Sequence, residues 1–165
     1  MKWCCLILAL LAVPAVWAGN GDEQKEADYY VTEYARHYHV PVELVRAVVE
    51  QESGWHRCPV SSKGAVGLLQ LMPQTAKRLN VKNRCDLRQN ISGGVRYLAW
   101  LMTKFQGELR LVAAAYYAGE THVLRRGLRY ANPDVVKYVA SIRERVARQQ
   151  KLGGAPIERT PGRSQ

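Results

Sequence analysis

Apolar side chains recur every three or four residues along most of this sequence, and that period restricts the chain to helical folds. The clearest example lies between positions 87 and 105, where one helical stripe collects Ile91, Val95, Leu98, Leu101, Met102 and Phe105. No stretch alternates apolar and polar residues beyond four or five positions, so little β-sheet is expected. The pattern therefore predicts an all-α domain.

Proline and glycine residues divide this pattern into six predicted helices. Pro41 and Pro73 suit the first position of a helix, where a missing amide hydrogen breaks no helical hydrogen bond. Four Gly and Pro residues between positions 54 and 67 predict an irregular segment after the second helix. The predicted helices span 22–38, 41–53, 73–79, 87–105, 109–118 and 134–151.

The first eighteen residues have the composition of an export signal. Lys2 supplies a positive charge, residues 3–17 are uncharged and mostly apolar, and Val16-Trp17-Ala18 offers a cleavage site. We therefore predict a signal peptide over 1–18 that is removed after Ala18. The apolar run is short for a bilayer roughly 30 Å thick, so no stable membrane anchor is expected. A retained N-terminal anchor is the alternative.

Two cysteines remain once the predicted leader is removed, Cys58 and Cys85. Exported proteins meet an oxidising compartment, so we expect these two to form a disulfide, with unpaired thiols as the alternative. Closing a loop of this length stabilises a fold by roughly 3.5 kcal/mol in the chain-entropy description. No His lies at ligand spacing from either cysteine, which argues against a zinc site.

The chain is strongly basic, with 24 Lys and Arg against 14 Asp and Glu among its 165 residues. Ten of the basic residues but only four acidic ones lie in 120–165, and Pro156 and Pro161 predict a disordered basic tail over 151–165. The charge indicates either capture of an anionic surface or a solvated helix face, and the sequence leaves both open. No helix-turn-helix, zinc or aromatic-basic signature accompanies it, so no nucleic-acid partner is predicted.

Glu52 is the first candidate for chemistry. When the second predicted helix is turned by roughly 100° per residue, Glu52 falls within the apolar arc of Leu44, Val45 and Val48, whereas Glu50 points away. Burial on that face raises the pKa of a carboxyl group, and a glutamic acid that stays protonated near neutral pH suits general-acid catalysis. On this evidence alone, a helix-end cap or an ion pair with an Arg remains the alternative.

Four runs of residues between positions 51 and 119 form a recognisable set. They are Gln51-Glu52-Ser53-Gly54-Trp55, Ser61 to Ala76 with Gly67-Leu68-Leu69-Gln70-Leu71-Met72-Pro73 inside it, Asn90 to Leu98, and Ala114-Ala115-Tyr116-Tyr117-Ala118-Gly119. Together these runs closely resemble the soluble lytic transglycosylase family, a lysozyme-like group that cleaves the glycan strands of peptidoglycan. The resemblance covers roughly residues 28 to 142.

This resemblance implies a compact lysozyme-like helical domain with a groove, over 19–150, and it implies neither a metal nor a cofactor. Glu52 matches the family's single catalytic acid, and Tyr116 matches the tyrosine placed near it. The implied substrate-binding residues are Ser61 and Gln70, which line the cleft, Met72, which packs beside the sugar, Tyr116, and Tyr138 in the closing motif.

Three features depart from the family's pattern. Tyr117 follows the motif tyrosine where the family usually has Asn, which removes an amide able to donate and accept hydrogen bonds. Asp134 and Val135 replace the Glu and Thr that usually begin the closing motif. The pair of cysteines also lies outside the general pattern.

The resemblance implies a lytic transglycosylase that forms 1,6-anhydromuramoyl ends through one acid/base residue. The other acidic residues are scattered, and none carries a nucleophile signature, which fits a substrate-assisted route. A hydrolytic muramidase on the same scaffold and a non-catalytic glycan-binding assembly protein are the alternatives. By analogy with small family members, we expect a periplasmic monomer of a Gram-negative bacterium that opens the wall for a secretion, conjugation or pilus machine.

Overall fold

Residues that start or stop helical backbone set the boundaries of the elements. The computed structural model describes residues 19–127 and 132–153, and these contain seven helices. They are α1 (Gly19–His37), α2 (Val42–Ser53), α3 (Pro73–Arg78), α4 (Leu87–Lys104), α5 (Leu109–Ala118), α6 (Glu120–Arg126) and α7 (Pro133–Gly153). The predicted leader over 1–18 and the predicted tail beyond position 153 lie outside the described residues.

All six predicted helices are present, with ends within three residues of the predicted ones. The last helix continues through 151–153, where the sequence predicts the start of a disordered tail. The sequence does not predict helix α6, because Val123 is its one buried side chain and a single apolar position establishes no period. The described residues contain two isolated antiparallel bridges, Val60–Val66 and Val66–Leu71, and no strand, so the all-α prediction is confirmed.

The core lies where α2, α5 and α7 meet, with α1 and α4 packed beside them. Five side chains of α2 are at most 1% exposed, namely Leu44, Val45, Ala47, Val48 and Val49. Full burial of a Val or Leu side chain stabilises a fold by roughly 1.5–3 kcal/mol. Helix α2 is thereby held between α1 and α7, and this packing sets the direction in which its C-terminal residues point.

Polar contacts also join α2 to α7. Arg145 and Arg148 both pair with the Glu50 carboxylate, the latter at 2.7 Å. The Ser141 hydroxyl donates to Oε1 of Gln51 at 2.6 Å. These contacts lie at the two residues that precede Glu52 and hold the two helices in one relative orientation.

The irregular segment between α2 and α3 is organised around Asn90, a side chain of α4 that is 1% exposed. Its Oδ1 accepts from the Leu69 amide at 2.8 Å, and its Nδ2 donates to the carbonyls of Val66 and Arg84. Gly67 packs so tightly against this amide, with φ +84°, that a Cβ there would collide with Asn90. The segment is therefore an ordered loop that presents residues 70–72 at a defined place.

A disulfide joins this loop to the start of α4. It pairs Cys58 with Cys85, whose Cα atoms lie 5.1 Å apart, which is the pairing expected for an exported chain. Within 19–127 and 132–153, every helix is too short or too polar to cross a lipid bilayer.

Replacement of Asn90 by Ala leaves the buried Leu69 amide and the Arg84 carbonyl without their partner, whereas the Val66 carbonyl keeps its hydrogen bond from the Leu71 amide. We expect a loss of about 1–3 kcal/mol in the free energy of unfolding, measured by urea denaturation. Gln150→Ala is the matched control, because Gln150 is an exposed amide side chain on α7 and its change falls within about 0.5 kcal/mol. Equal effects of the two substitutions would contradict the role assigned to Asn90.

Candidate active site

Glu52 lies in the last turn of α2, on the face that the helix turns toward the core. The helix ends at Gly54, which takes the left-handed conformation with φ 57°. Ser53 closes the turn, because its hydroxyl donates to the Val49 carbonyl and accepts from the Trp55 amide. The Glu52 side chain is consequently half-buried, as its place in the apolar arc predicts.

Tyr138 of α7 holds the carboxyl group. Its hydroxyl donates to Oε1 of Glu52 at 2.5 Å. Burial raises the pKa of Glu52, and the hydrogen bond from Tyr138 lowers it by a smaller amount, so the pKa lies above its ordinary value. Glu52 therefore keeps its proton to a higher pH than a glutamic acid in water.

The two tyrosines near Glu52 stay neutral. Burial and the negative charge of Glu52 raise the pKa of both Tyr116 and Tyr138 well above the ordinary value. The Tyr116 hydroxyl donates to the Leu69 carbonyl at 2.7 Å, which links α5 to the loop around Asn90. Both phenols thus act as fixed hydrogen-bond donors.

A groove of about 740 Å³ runs between α3 and the segment that follows Tyr116. Its lining includes three predicted site residues, Gln70, Met72 and Tyr116. A second depression is lined by Gln51, Tyr117, Asp134, Lys137, Tyr138 and Ser141. The lining of these two spaces contains neighbours of Glu52 rather than Glu52 itself. Its carboxyl is hydrogen-bonded to Tyr138, which lines the second depression, and its charge acts on Tyr116, which lines the groove.

Gln70 and Met72 occupy the groove wall formed by the loop. Gln70 has φ 44°, and its Nε2 donates to the carbonyls of Pro59 and Gly67, each at 3.0 Å. Because Nε2 serves the loop, a substrate hydrogen bond from this side chain would use Oε1. Met72 precedes α3 and is 42% exposed, so its thioether is available to a ligand.

Ser61 lies elsewhere in the loop. Its hydroxyl accepts from the Ala65 amide at 3.0 Å, and its own amide donates to the Ala65 carbonyl. Neither the groove nor the second depression is lined by Ser61. The structure therefore assigns it a turn-stabilising contact, and its substrate role stays a prediction.

The groove wall also carries a polar cluster that the sequence does not predict. Arg78 at the end of α3 pairs with Glu120 of α6 at 2.7 Å, and Tyr97 of α4 donates to the same carboxylate at 3.0 Å. The Arg78 guanidinium also lies 5.2 Å from the centre of the Tyr97 ring and 5.0 Å from that of Trp100. No local pattern could have shown this cluster, because its members come from three separate helices.

The cluster lowers the pKa of Glu120, whereas the surroundings of Glu52 raise its pKa. Burial works to raise its pKa, but the hydrogen bonds from Arg78 and Tyr97 and the charge of Arg78 lower the pKa overall. Glu120 is therefore an ionised, fully engaged carboxylate. Among the described residues, no group of three His, Cys, Asp or Glu side chains could hold a metal ion.

The chain is similar in sequence to known transglycosylases. The chain is 32% identical over 130 residues to the membrane-bound lytic murein transglycosylase F of Pseudomonas fluorescens, covering 71% of this chain and 26% of that protein. It is 40% identical over 82 residues to a transglycosylase of Enterobacteria phage PRD1, covering 50% of this chain and 31% of the phage protein. The chain thus spans about a quarter to a third of the relatives that it matches.

Solved structures share the fold. The 70 kDa soluble lytic transglycosylase of Escherichia coli superposes with a TM-score of 0.69 at 23% identity, over 77% of this chain and 24% of that one. A lytic transglycosylase of Pseudomonas aeruginosa gives 0.65 at 23% identity, over 76% and 24% of the respective chains. Residues 29–138 match the family described as the Transglycosylase SLT domain, and this chain belongs to that family.

Proposed function

We propose that this chain is a peptidoglycan lytic transglycosylase that cleaves the β-1,4 bond between N-acetylmuramic acid and N-acetylglucosamine. The observation that carries the proposal is the half-buried Glu52, whose pKa is raised and whose carboxyl is hydrogen-bonded to Tyr138 in the lining of the second depression. Its family membership and the lytic murein transglycosylase among its relatives support the same substrate. Glu52 is thus the proposed general acid.

In the first step, the protonated Glu52 gives its hydrogen to the glycosidic oxygen as the bond from that oxygen to C1 of the muramic acid breaks. The acetamido oxygen of the same sugar supports the positive charge that develops at C1. Tyr138 keeps the carboxyl in one orientation through its hydrogen bond at 2.5 Å. Gln70, Met72 and Tyr116 are proposed to bind the saccharide in the groove.

In the second step, the Glu52 carboxylate takes the proton from the C6 hydroxyl, and the C6 oxygen bonds to C1. The product is a 1,6-anhydromuramoyl end, Glu52 is again protonated, and no water is consumed. Tyr138 donates to the carboxylate during the interval in which it is charged. A single residue therefore serves as acid and then as base.

The environment of Glu120 supports this one-carboxyl route. Glycosidases with two carboxyl groups place the second one roughly 5–10 Å from the first, free to attack C1 or to activate water. Glu120 lines the groove, but Arg78 and Tyr97 occupy its oxygens. A carboxylate held by an ion pair and a phenol is a poor nucleophile or base, so assistance from the substrate is the better assignment.

We also propose the cellular setting that the sequence indicates. A signal peptide over 1–18 would export a monomeric domain over 19–150 to the periplasm, where peptidoglycan lies. The basic residues of 120–165 would favour the anionic wall. Local opening of the wall for a secretion, conjugation or pilus machine is the proposed role of such a small enzyme, by analogy alone.

Replacement of Glu52 by Gln removes the transferable proton and keeps the shape of the side chain. We expect turnover of purified peptidoglycan to fall at least about 100-fold. Mass analysis of the muropeptides released by the unaltered protein is expected to show anhydro ends, each lighter than a reducing end by one water. Glu43→Gln, a glutamate on the same helix outside the site, is the control that retains activity.

Other outcomes of the Glu52→Gln assay and the muropeptide analysis would indicate a different function. Reducing ends in the digest would replace the transglycosylase by a hydrolytic muramidase. Full activity in the Gln variant, or no released product from either protein, would favour a non-catalytic glycan-binding protein.

The Gln variant is expected to be as stable as the unaltered protein, or more stable, at neutral pH. A raised folded-state pKa means that Glu52 contributes stability in its protonated form, which is lost as pH rises through that pKa. Gln does not ionise and so avoids this loss. Thermal unfolding measured across pH therefore separates a catalytic defect from a folding defect.

Tyr138→Phe removes the hydrogen bond that lowers the pKa of Glu52 and leaves the ring in place. Because that pKa then rises further, the descending high-pH limb of the kcat profile is expected to move to higher pH. The exposed Tyr29→Phe serves as the control with an unchanged profile. A limb that stays in place or moves to lower pH would show that Tyr138 does not act on Glu52 in this way.

A further inference from the structure

Tyr117 is the residue at which the groove and the second depression meet. Its side chain contributes to the lining of both spaces. Its ring centre lies 4.8 Å from that of Tyr138, with 32° between the ring planes. Tyr138 in turn holds Glu52, so the Tyr117 ring lies one side chain away from the proposed acid.

The fold does not require an aromatic side chain at this position. Helix α5 contributes its core contacts through Val112, Ala113, Ala114 and Ala115. Tyr117 is instead 45% exposed, although its apolar ring would gain free energy from burial. The ring is only partly covered by Tyr138, and Tyr117 contributes to the lining of both the groove and the second depression.

The surroundings of this ring are those of a saccharide site. The face of an aromatic ring carries partial negative charge, and it attracts the C–H bonds on the apolar face of a pyranose. Ligand sites combine such apolar surfaces with a few polar groups that fix orientation. Here the polar groups around Tyr117 in the second depression are Gln51, Asp134, Lys137 and Ser141.

We propose that Tyr117 is a stacking platform that binds one sugar ring of the glycan across the boundary between the groove and the second depression. Tyr117 is thereby a residue that determines substrate affinity. This inference rests on the proposed function and concerns the same site.

The test measures binding without turnover, in the Glu52→Gln background. The probe is the tetramer of N-acetylglucosamine, titrated by calorimetry into the full chain. Adding Tyr117→Ala is expected to raise Kd about tenfold, the loss that corresponds to a typical aromatic contact. Adding Tyr117→Phe, which keeps the ring, is expected to restore Kd to within about twofold of the parent on the same grounds.

Controls and kinetics exclude a merely structural role. Tyr29→Ala, another exposed tyrosine, is expected to leave Kd unchanged. With Glu52 intact, Tyr117→Ala is expected to raise KM and to leave the pH midpoints of kcat in place. An unchanged Kd in the Ala variant would overturn the inference. So would a Phe variant as weak as the Ala variant, or a shifted pH midpoint with unchanged KM.

The two proposals fail in different ways. If Glu52→Gln abolishes activity but the Tyr117→Ala variant binds the tetramer with the same Kd as its parent, the proposal that Tyr117 stacks on a sugar is wrong and the enzyme assignment stands. If Glu52→Gln retains activity, the proposed function is wrong, whatever the binding data show.

Discussion

The site depends on the packing of α7 against α2, since this packing brings Tyr138 to Glu52 across 86 residues of sequence. A carboxyl group is poorly tolerated on a buried face unless a partner satisfies it. The phenol supplies that partner without adding charge, so the carboxyl remains protonated more readily than it would beside an Arg or Lys. Arg145 and Arg148 of α7 pair instead with Glu50, which lies two residues before Glu52. Glu50 thus joins the two helices, and Glu52 is left as the proposed acid.

Glu120 and Glu52 differ in the same way, through the partners that their carboxyl groups have. Glu120 has a cation and a phenol as partners and a lowered pKa, whereas Glu52 has a phenol alone and a raised one. Environments that move two carboxyl groups in opposite directions mark which of them can donate a proton. The loop around Asn90 completes this arrangement, because it places Gln70 and Met72 on the wall facing Tyr116. A rigid loop lets the groove exist before any ligand enters it, which reduces the ordering that binding requires.

Much of this was predictable from the sequence because it follows from local periods and short motifs. The apolar period predicts six helices, and the angular position of Glu52 in α2 predicts a buried acid. Contacts between distant residues were not accessible in that way. The Tyr138 hydrogen bond and the Arg78–Glu120 pair depend on how helices pack, and neither leaves a local signal. A motif position can also predict a contact that the structure does not show. The position of Ser61 in its motif predicts a cleft residue, whereas in the structure its hydroxyl accepts a hydrogen bond from the Ala65 amide within a turn.

The protonation state of Glu52 is the physical claim on which the proposed chemistry depends. An NMR titration of its side-chain carboxyl carbon, in protein labelled at glutamate and assigned with the Gln variant, measures it directly. The account predicts a midpoint above the range of glutamic acids in water, because burial outweighs the hydrogen bond from Tyr138. A midpoint within or below that range would mean that Glu52 is ionised before neutral pH, and it would contradict the assignment of this residue as the acid.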